Sequence, residues 1–309
     1  MAFVATIRLL RPKHWFKSAF VLVGPLYALG DPSRHISPRE ALIPALFAAG
    51  AFALASSACY IVNDVMDVES DRLHPRKCKR PIASGEVSPQ AAGLIAVVLT
   101  GLAAACCAMI GVPAMWWVAG LVALYTVNVV SYSVRLKHMV IADVVSLSGG
   151  FVLRVLGGCA AAGVSPSTWL LNCTLFFAMF LAFGKRLGER RTVEDAGAIR
   201  AVQAKYTDEL LRMSTVVTGV ALMVTYAGYV ESRHSDYTNA FAGLEAGFNM
   251  LWFTMIPAVY GILRSIVLLE SGTYDDPTEI LSRDLPMQLS VVTFGILTMI
   301  PWIMKVTAA

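Results

Sequence analysis

The amino-acid sequence predicts an all-α fold, a polytopic membrane helical bundle of about nine transmembrane helices. Of its 309 residues, 57% are hydrophobic and only 15% are charged, and the mean hydropathy is +0.64. A soluble domain cannot cover so much apolar surface with polar groups. Crossing a bilayer as a helix takes about 20 apolar residues, because every backbone polar group must be hydrogen-bonded internally there.

Apolar runs of this length recur along the chain, and we expect them to form one domain, 1–309. The runs lie at 18–32, 41–63, 91–111, 114–133, 140–161, 167–184, 213–230, 247–269 and 287–307. Most of the 25 Lys and Arg residues lie in the N-terminal segment and in the loops after the second, fourth, sixth and eighth runs. The positive-inside rule assigns those segments, including the N-terminus, to the cytoplasm. The first run lacks the small-residue cleavage site of a signal peptide, so we predict an uncleaved span.

Cysteine usage and net charge argue against several other classes of site. The six cysteines show no C-x-x-C spacing, and most lie in or near apolar runs, so we predict neither a disulfide nor a thiolate metal site. The net charge of +4 comes mostly from the predicted cytoplasmic loops and favours an anionic leaflet or anionic substrates. It gives no reason to expect nucleic acid as a partner.

The second apolar run ends in four oxygen-bearing side chains, Asn63, Asp64, Asp67 and Asp71. At 100° per residue they fall within an arc of about 100° and extend over roughly two helical turns. Carboxylates this close repel one another unless a cation lies between them. Hard oxygen ligands suit Mg²⁺, which proteins usually hold with one or two carboxylates plus substrate phosphates. The stripe therefore predicts a diphosphate bridged by Mg²⁺; the alternative is a solvated helix end that marks the membrane boundary.

A basic segment follows the acidic stripe at once. Its cations are Arg72, Arg76, Lys77, Lys79 and Arg80, and a turn-forming stretch, 81–85, comes next. Carboxylates for a metal, together with cations for phosphate oxygens, are what electrostatic stabilisation of a leaving pyrophosphate requires. This combination favours the catalytic interpretation over the solvated helix end.

The segment NDVMDVESDRLHPRKCKRPIASG, residues 63–85, resembles the first aspartate-rich motif and following loop of the UbiA superfamily of membrane prenyltransferases. The residues that match are Asn63, Asp64, Asp67, Asp71, Pro75, Lys77, Arg80, Pro81, Ile82, Ser84 and Gly85. The resemblance implies a bundle of transmembrane helices around a central cavity. It also implies catalytic loops on the cytoplasmic side and Mg²⁺ as the cofactor.

The chain departs from this family at the end of the sixth run. Most members carry a second motif there, D-x-x-x-D, which helps to hold a second Mg²⁺ on a prenyl diphosphate. Lys185 and Glu189 stand at the two corresponding positions. With a cation in place of one carboxylate, we expect the site to hold a phosphate directly through charge-assisted hydrogen bonds. The alternative is an ordinary i,i+4 surface pair.

Several further segments are similar to a bacterial branch of the family that transfers 5-phosphoribose from phosphoribosyl pyrophosphate to decaprenyl phosphate. They are residues 10–17, 24–25, 142–144, 150–154, 182–186 and 276–281. This resemblance implies a multi-pass enzyme of the bacterial inner membrane that releases pyrophosphate. Its product would be a lipid-linked pentose, typically a precursor of cell-envelope arabinose.

The same resemblance divides the polar residues between two substrates. Asp64, Asp67 and Asp71 would bind Mg²⁺ and the sugar pyrophosphate, and Lys77 and Arg80 would neutralise the departing pyrophosphate. The candidates for the lipid phosphate or the ribose 5-phosphate are Lys17, Tyr132, Lys137, Lys185 and Arg186, and Asn63, Arg154 and Glu189 complete the predicted substrate-binding set. A polyprenyl monophosphate is already an anion, so we predict an in-line displacement without a general base.

Arg154 lies more than ten residues into the fifth run, on one predicted helix face with Asp143. A charged residue at that depth is costly in lipid and is usually functional or paired. Asp143 is about 16 Å away along the helix axis, so it is not a simple partner. Two interpretations stay open: a structural residue of the bundle, and a direct contact with a substrate.

Two rival functions share part of this pattern. An aromatic prenyltransferase of the same superfamily would use a prenyl diphosphate, and Lys185 argues against the second metal that it needs. A transporter for an anionic lipid or nucleotide would also have many spans and basic loops, but it would not require the acidic stripe. A homo-oligomer is compatible with the sequence, which does not specify an oligomeric state.

Overall fold

The protein is helical throughout the part of the chain that the structure describes. The computed structural model describes residues 2–29, 36–73, 77–192, 205–233, 248–274 and 277–308, and no β-strand occurs in these ranges. The α-helices are α1 (Ala2–Leu10), α2 (Phe20–Leu29), α3 (Pro38–Met66), α4 (Val68–Leu73), α5 (Pro89–Ala108), α6 (Ala114–Val134), α7 (Ala142–Ala161), α8 (Thr168–Thr192), α9 (Asp208–Ser232), α10 (Met255–Glu270), α11 (Pro277–Arg283) and α12 (Leu285–Ala308). Short 3₁₀ segments cover Pro12–Ala19, Lys77–Lys79, Leu136–His138 and Met250–Thr254. The predicted all-α class is confirmed, and Pro75, Arg76 and Asp276 lie outside the described residues.

Seven helical segments among the described residues are long and apolar enough to cross a membrane. They are Pro38–Met66, Pro89–Ala108, Ala114–Val134, Ala142–Ala161, Thr168–Arg191, Asp208–Ser232 and Met250–Glu270. The ninth predicted run corresponds to α12, which is apolar over Leu285–Ile300. In the first run, residues 12–19 form a 3₁₀ helix and α2 covers Phe20–Leu29, while residues 30–32 lie outside the described part of the chain.

Three of the long helices begin at side-chain caps that the sequence makes recognisable. Ser37 accepts a hydrogen bond from the backbone N–H of Glu40, and the Glu40 carboxylate accepts one from the Ser37 N–H, which is a capping box for α3. Ser88 and Thr207 each accept the N–H three residues further on, at the starts of α5 and α9. These bonds satisfy amide groups that a helix leaves unpaired in its first turn.

The chain divides into two compact units, Met1–Lys137 with Gly149–Pro166, and His138–Ser148 with Ser167–Ala309. In the first unit α3 is the central helix, and it packs against α1, α2, α5 and α6. The buried face of α3 is rich in alanine and includes Ala41, Ala45, Ala48, Ala51, Ala55 and Ala58. Small side chains allow helix backbones to approach closely in a membrane, where packing rather than the hydrophobic effect holds helices together.

The part of α7 that belongs to the first unit approaches α2 and α3 without room for side chains. A Cβ atom on Gly158 would lie 1.7 Å from the carbonyl oxygen of Val21. A Cβ atom on Gly157 would lie 2.3 Å from Cε2 of Phe52. The close contact of these helices therefore requires glycine at both positions.

In the second unit α8 packs along α9, and α10 contacts both helices. The buried core includes Phe183 and Leu187 of α8 together with Leu211 of α9. Because Phe183 and Leu187 are one helical turn apart and point into this core, Lys185 and Glu189 lie on a different, partly exposed face of α8.

We expect the substitution Gly158→Ala to destabilise the first unit by about 1–3 kcal/mol, because the new methyl group meets backbone that cannot rotate away. The measurement is the thermal unfolding midpoint of the detergent-purified protein. Gly149→Ala is the matched control in the same helix, since a Cβ there meets nothing within 4 Å. Equal midpoints for the two variants would contradict the close packing of α7 on α2.

Candidate active site

The acidic stripe spans the junction between α3 and α4. Helix α3 ends at Met66 with Asp67 as its C-cap, and α4 starts at Val68. The four-residue hydrogen-bond spacing continues across the break, because the Asp67 N–H donates to the Asn63 carbonyl (2.9 Å) and the Asp71 N–H donates to the Asp67 carbonyl (2.8 Å). The predicted grouping on one face therefore survives an interruption that the periodicity did not indicate.

Arg80 bridges two buried carboxylates of this stripe. One atom, Nη1, donates to Oδ1 of Asp64 at 2.9 Å and to Oδ2 of Asp71 at 2.6 Å, and these aspartates are only 3% and 1% exposed. Lys77 is more exposed, and its Nζ lies 3.9 Å from Oδ1 of Asp71. The basic loop thus returns to the acidic helix end, as the motif predicts.

The turn after Arg80 fixes this return of the loop. The Ser84 N–H donates to the Arg80 carbonyl at 2.8 Å, and the Val87 N–H donates to the Pro81 carbonyl at 2.9 Å. Gly85 adopts a φ of 80°, a conformation that residues with a Cβ seldom take. The turn residues that the sequence showed at 81–85 therefore hold the arginine in place.

A second guanidinium, from Arg11, also binds Asp64, a contact that the motif did not predict. Its Nη2 lies 2.7 Å from both carboxylate oxygens of Asp64, and its Cζ lies 4.9 Å from the ring centre of Tyr60. Arg11 itself has a φ of 51°, in the left-handed region, which costs a residue with a Cβ about 1–2 kcal/mol. Pro12 disfavours the ordinary helical conformation at Arg11, which marks a break in the chain there but does not predict the left-handed conformation.

The segment that carries Arg11 is anchored on both sides of that residue. The Trp15 Nε1 group donates to Ser57 at 3.0 Å, and the Ser57 hydroxyl donates to the Leu10 carbonyl at 2.8 Å. Burial is the main reason that the pKa of His14 lies below its usual value, and the charges of Lys17 and Arg11 lower it further. The His14 ring is therefore neutral at pH 7. We call Arg11, Asp64, Asp71 and Arg80 the carboxylate cluster.

The side-chain oxygen atoms at this site are of the kind that bind divalent cations in proteins. Oδ1 of Asp71 is buried and accepts no hydrogen bond from the described residues, and Asn63 donates to Oδ2 of Asp67 at 3.0 Å. Among the described residues, however, no three His, Cys, Asp or Glu side chains are gathered closely enough to hold a metal ion. Mg²⁺ commonly takes one or two carboxylates and completes its octahedron with water and substrate phosphates. The residues therefore fit a metal site that a diphosphate completes.

Arg154 lies in a separate polar cluster of the first unit. It is 4% exposed, and it donates to the Tyr125 hydroxyl at 2.7 Å and to the Gly150 carbonyl at 3.0 Å. Tyr125 in turn donates to Ser56 at 3.2 Å. The described contacts of Arg154 include no carboxylate, and its Nε atom is buried without a hydrogen bond. These contacts give Arg154 a structural role, while its uncompensated charge leaves the substrate interpretation open.

Three other candidates lie on partly exposed segments outside the carboxylate cluster. Lys17 belongs to the 3₁₀ segment after Arg11, Tyr132 lies in the last turns of α6, and Lys137 lies in the 3₁₀ segment that follows α6. All three belong to the first unit. Lys17 and Lys137 lie just beyond the ends of predicted membrane runs.

Of the candidates in the second unit, Lys185 and Glu189 are accessible, whereas Arg186 is buried. Nζ of Lys185 lies 3.9 Å from Oε1 of Glu189, and both side chains are accessible. Arg186 is buried instead, and its Nη2 donates to Oδ2 of Asp143 at 2.5 Å, while Nη1 donates to the Ala182 carbonyl at 2.9 Å. The predicted phosphate ligand Arg186 is therefore engaged by Asp143.

Asp143 is the centre of a buried network that also includes Tyr206. The Tyr206 hydroxyl donates to Oδ1 of Asp143 at 2.6 Å and accepts the N–H of Ile141 at 2.7 Å. Burial is the main cause, and the hydrogen bond to Asp143 the second, of a pKa of Tyr206 that is raised to about 12. The Tyr206 hydroxyl therefore remains a hydrogen-bond donor at neutral pH. Ile141 has a φ of 69°, an unusual conformation for a β-branched residue. The network ties the start of α7 to α8 and to the residues just before α9.

Comparison with protein families agrees with this arrangement of helices and aspartates. The model of the UbiA prenyltransferase family matches residues 18–292, which is most of the chain. The chain belongs to the UbiA prenyltransferase family. The match includes the aspartate motif, the basic loop and the Lys185/Glu189 positions.

Relatives within the UbiA family are similar over nearly the whole chain. The decaprenyl-phosphate phosphoribosyltransferase of Mycolicibacterium smegmatis is 34% identical over 291 residues, which cover 92% of this chain and 87% of that protein. The protein of the same name from Mycobacterium tuberculosis is 33% identical over 312 residues, which cover 98% and 93%. The structure of a UbiA homolog from Archaeoglobus fulgidus bound to GPP and Mg²⁺ matches 98% of both chains with a TM-score of 0.59 at 18% identity. That likeness confirms the fold.

We expect the substitution Arg186→Met to destabilise the second unit by about 3–5 kcal/mol, because it leaves the Asp143 carboxylate buried without its cation. The measurement is again thermal unfolding in detergent. Lys185→Met is the matched control one residue earlier, since an exposed ion pair contributes about 0–1 kcal/mol. A similar loss for both variants would show that the buried pair is not what holds these segments together.

Proposed function

We propose that this UbiA-family transferase moves 5-phosphoribose from phosphoribosyl pyrophosphate to a polyprenyl phosphate of the decaprenyl type and releases pyrophosphate. The observation that carries the proposal is the combination, in one sequence, of a complete aspartate motif with buried Asp64 and Asp71 and a second motif position where Lys185 replaces an aspartate. A diphosphate leaving group calls for a metal site, and the acceptor monophosphate calls for a cationic site. The names of the relatives from mycobacteria support the same pair of substrates.

For the pyrophosphate end, we propose that Asp64, Asp67 and Asp71 hold Mg²⁺. Bound there, Mg²⁺ would supply electrostatic stabilisation of the pyrophosphate as it leaves. Asn63 fixes the orientation of Asp67 through their hydrogen bond. Arg80 and Lys77 lie beside the same carboxylates and would bind the phosphate oxygens of the leaving group. The Mg²⁺ in the solved homolog from Archaeoglobus fulgidus supports the choice of a divalent metal.

For the acceptor, we propose Lys185 as the direct phosphate contact on α8, with Glu189 keeping its ammonium group in place. Arg186 acts through its ion pair with Asp143, which fixes the turn of α8 that carries Lys185. Lys17, Tyr132, Lys137 and Arg154 remain candidates for the ribose 5-phosphate or the lipid phosphate. The acceptor phosphate is an anion and attacks the anomeric carbon in line, without a general base.

We further propose that the whole chain, 1–309, forms one UbiA-type domain in a bacterial inner membrane, with the active site and the N-terminus on the cytoplasmic side. The basic loops predicted at that side support this orientation. The family match supports the single domain, because it extends across both compact units. A homo-oligomer is compatible with this proposal.

The assay that tests the function combines purified protein, Mg²⁺, radiolabelled phosphoribosyl pyrophosphate and decaprenyl phosphate, and counts label in the organic phase. We expect transfer to fall by about 10²–10³-fold in Asp67→Ala, because a carboxylate at the metal site is lost. Glu69→Ala is the matched control, an exposed carboxylate two residues away that should keep activity. Absence of label, with transfer from a prenyl diphosphate to an aromatic acid instead, would assign the chain to the rival reaction.

The role of Lys185 is tested by comparing two exposed i,i+4 ion pairs. We expect Lys185→Gln to raise the KM for polyprenyl phosphate about tenfold or more, because a charge-assisted hydrogen bond to the phosphate is lost. Arg283→Gln removes the cation of the Arg283–Glu279 pair, whose separation of 3.6 Å is similar, and should leave the KM unchanged. Equal kinetics for both variants would leave Lys185 as a surface residue.

A further inference from the structure

Asp64 is the only residue of the carboxylate cluster that binds two guanidinium groups. Nη1 of Arg80 reaches one of its oxygens, and Nη2 of Arg11 reaches both. Each carboxylate oxygen has a limited number of lone-pair directions, and a cationic donor in those directions repels an incoming metal ion. The hydrogen bonds from Arg11 and Arg80 occupy three of roughly four lone-pair directions of Asp64, so withdrawal of one guanidinium group would free oxygen directions for a metal ion and remove a repelling charge.

The structure indicates which of the two arginines can withdraw. Arg80 bridges two different buried carboxylates and belongs to a hydrogen-bonded turn, so its departure would leave Asp71 with only the more distant ammonium group of Lys77. Among the described residues, the side chain of Arg11 contacts Asp64 and the face of Tyr60. Its departure leaves Asp64 still paired with Arg80. Arg11 is thus the removable partner.

The backbone around Arg11 suits a side chain that moves while its base stays fixed. Leu10, before it, is held through its carbonyl by Ser57, and Trp15, after it, donates to the same hydroxyl. Arg11 itself is in the left-handed conformation at the junction between α1 and the 3₁₀ segment. Side-chain rotation at Arg11 therefore needs no rearrangement of the helices.

We propose that Arg11 is an exchangeable counter-cation, which neutralises Asp64 in the empty site and moves to the substrate diphosphate when a divalent metal takes its place. The proposal rests on the diphosphate chemistry proposed above, but it does not depend on which group is transferred. A metal ion alone must displace Arg11 into solvent, whereas a diphosphate offers the displaced guanidinium new oxygens. Metal and diphosphate should therefore bind cooperatively, and Arg11 would be a positioning residue that couples them.

The test measures Mn²⁺ binding to the full chain in detergent by electron paramagnetic resonance, with and without inorganic pyrophosphate. In Arg11→Gln we expect Mn²⁺ alone to bind about fivefold more tightly or better than in the unmodified protein, because its competitor is gone. The increase in Mn²⁺ affinity caused by pyrophosphate should shrink by a similar factor. Arg8→Gln is the matched control, since Arg8 pairs with exposed Glu86 and should change neither quantity.

A weaker or unchanged affinity for Mn²⁺ in folded Arg11→Gln would overturn the proposal and make Arg11 a fixed structural partner of Asp64. If this variant does not fold, Arg11→Lys gives the same comparison, because an ammonium group competes less well than a guanidinium that binds both oxygens. It too should bind Mn²⁺ more tightly than the unmodified protein, and failure to do so would overturn the proposal. These results need no group transfer, so a negative phosphoribosyl assay would count against the proposed function and not against this inference.

Discussion

Neutralisation of buried carboxylates by guanidinium groups is the interaction on which the candidate site depends. The side chains of Asp64 and Asp71 are almost closed to water, and Arg80 binds both. Buried ion pairs give little net stability compared with apolar packing, but removing one partner is costly because the other charge stays buried. The basic loop and the acidic helix end must therefore form together, and the loop conformation is part of the site.

The second unit also contains a buried carboxylate that a guanidinium group neutralises. Arg186 donates to one oxygen of Asp143, and the Tyr206 hydroxyl donates to the other. Two non-glycine residues of the described chain have positive φ values, Arg11 and Ile141, and each is directly linked to one of these buried networks. Such conformations persist only where the surroundings determine them strongly. These two strained residues therefore lie where the backbone is constrained by contacts with a buried charged network.

The sequence could predict what depends on spacing along one helix or on a local motif. It predicted most of the apolar spans and the grouping of Asp64 with Asp71, because helical periodicity is a local property. It missed the contact of Arg11 with Asp64, which joins residues 53 positions apart, and the burial of Arg186 beside Asp143, 43 positions away. Nothing local distinguishes a buried arginine from an exposed one when both occur in a basic stretch.

The charge balance of the first site explains why its arginines suit a substrate that arrives with a metal. The carboxylates of Asp64, Asp67 and Asp71 are matched in number by the cations of Arg11, Lys77 and Arg80. A dication alone would leave this neutral group with an excess of positive charge, and a diphosphate alone would leave it with an excess of negative charge. Binding both together keeps the sum closer to zero, since Asp64 and Asp71 can exchange a guanidinium contact for the metal while the arginines exchange a carboxylate for phosphate oxygens. A site that is neutral when empty therefore favours the metal–diphosphate complex over either component, which is the selectivity that a pyrophosphate-releasing enzyme needs.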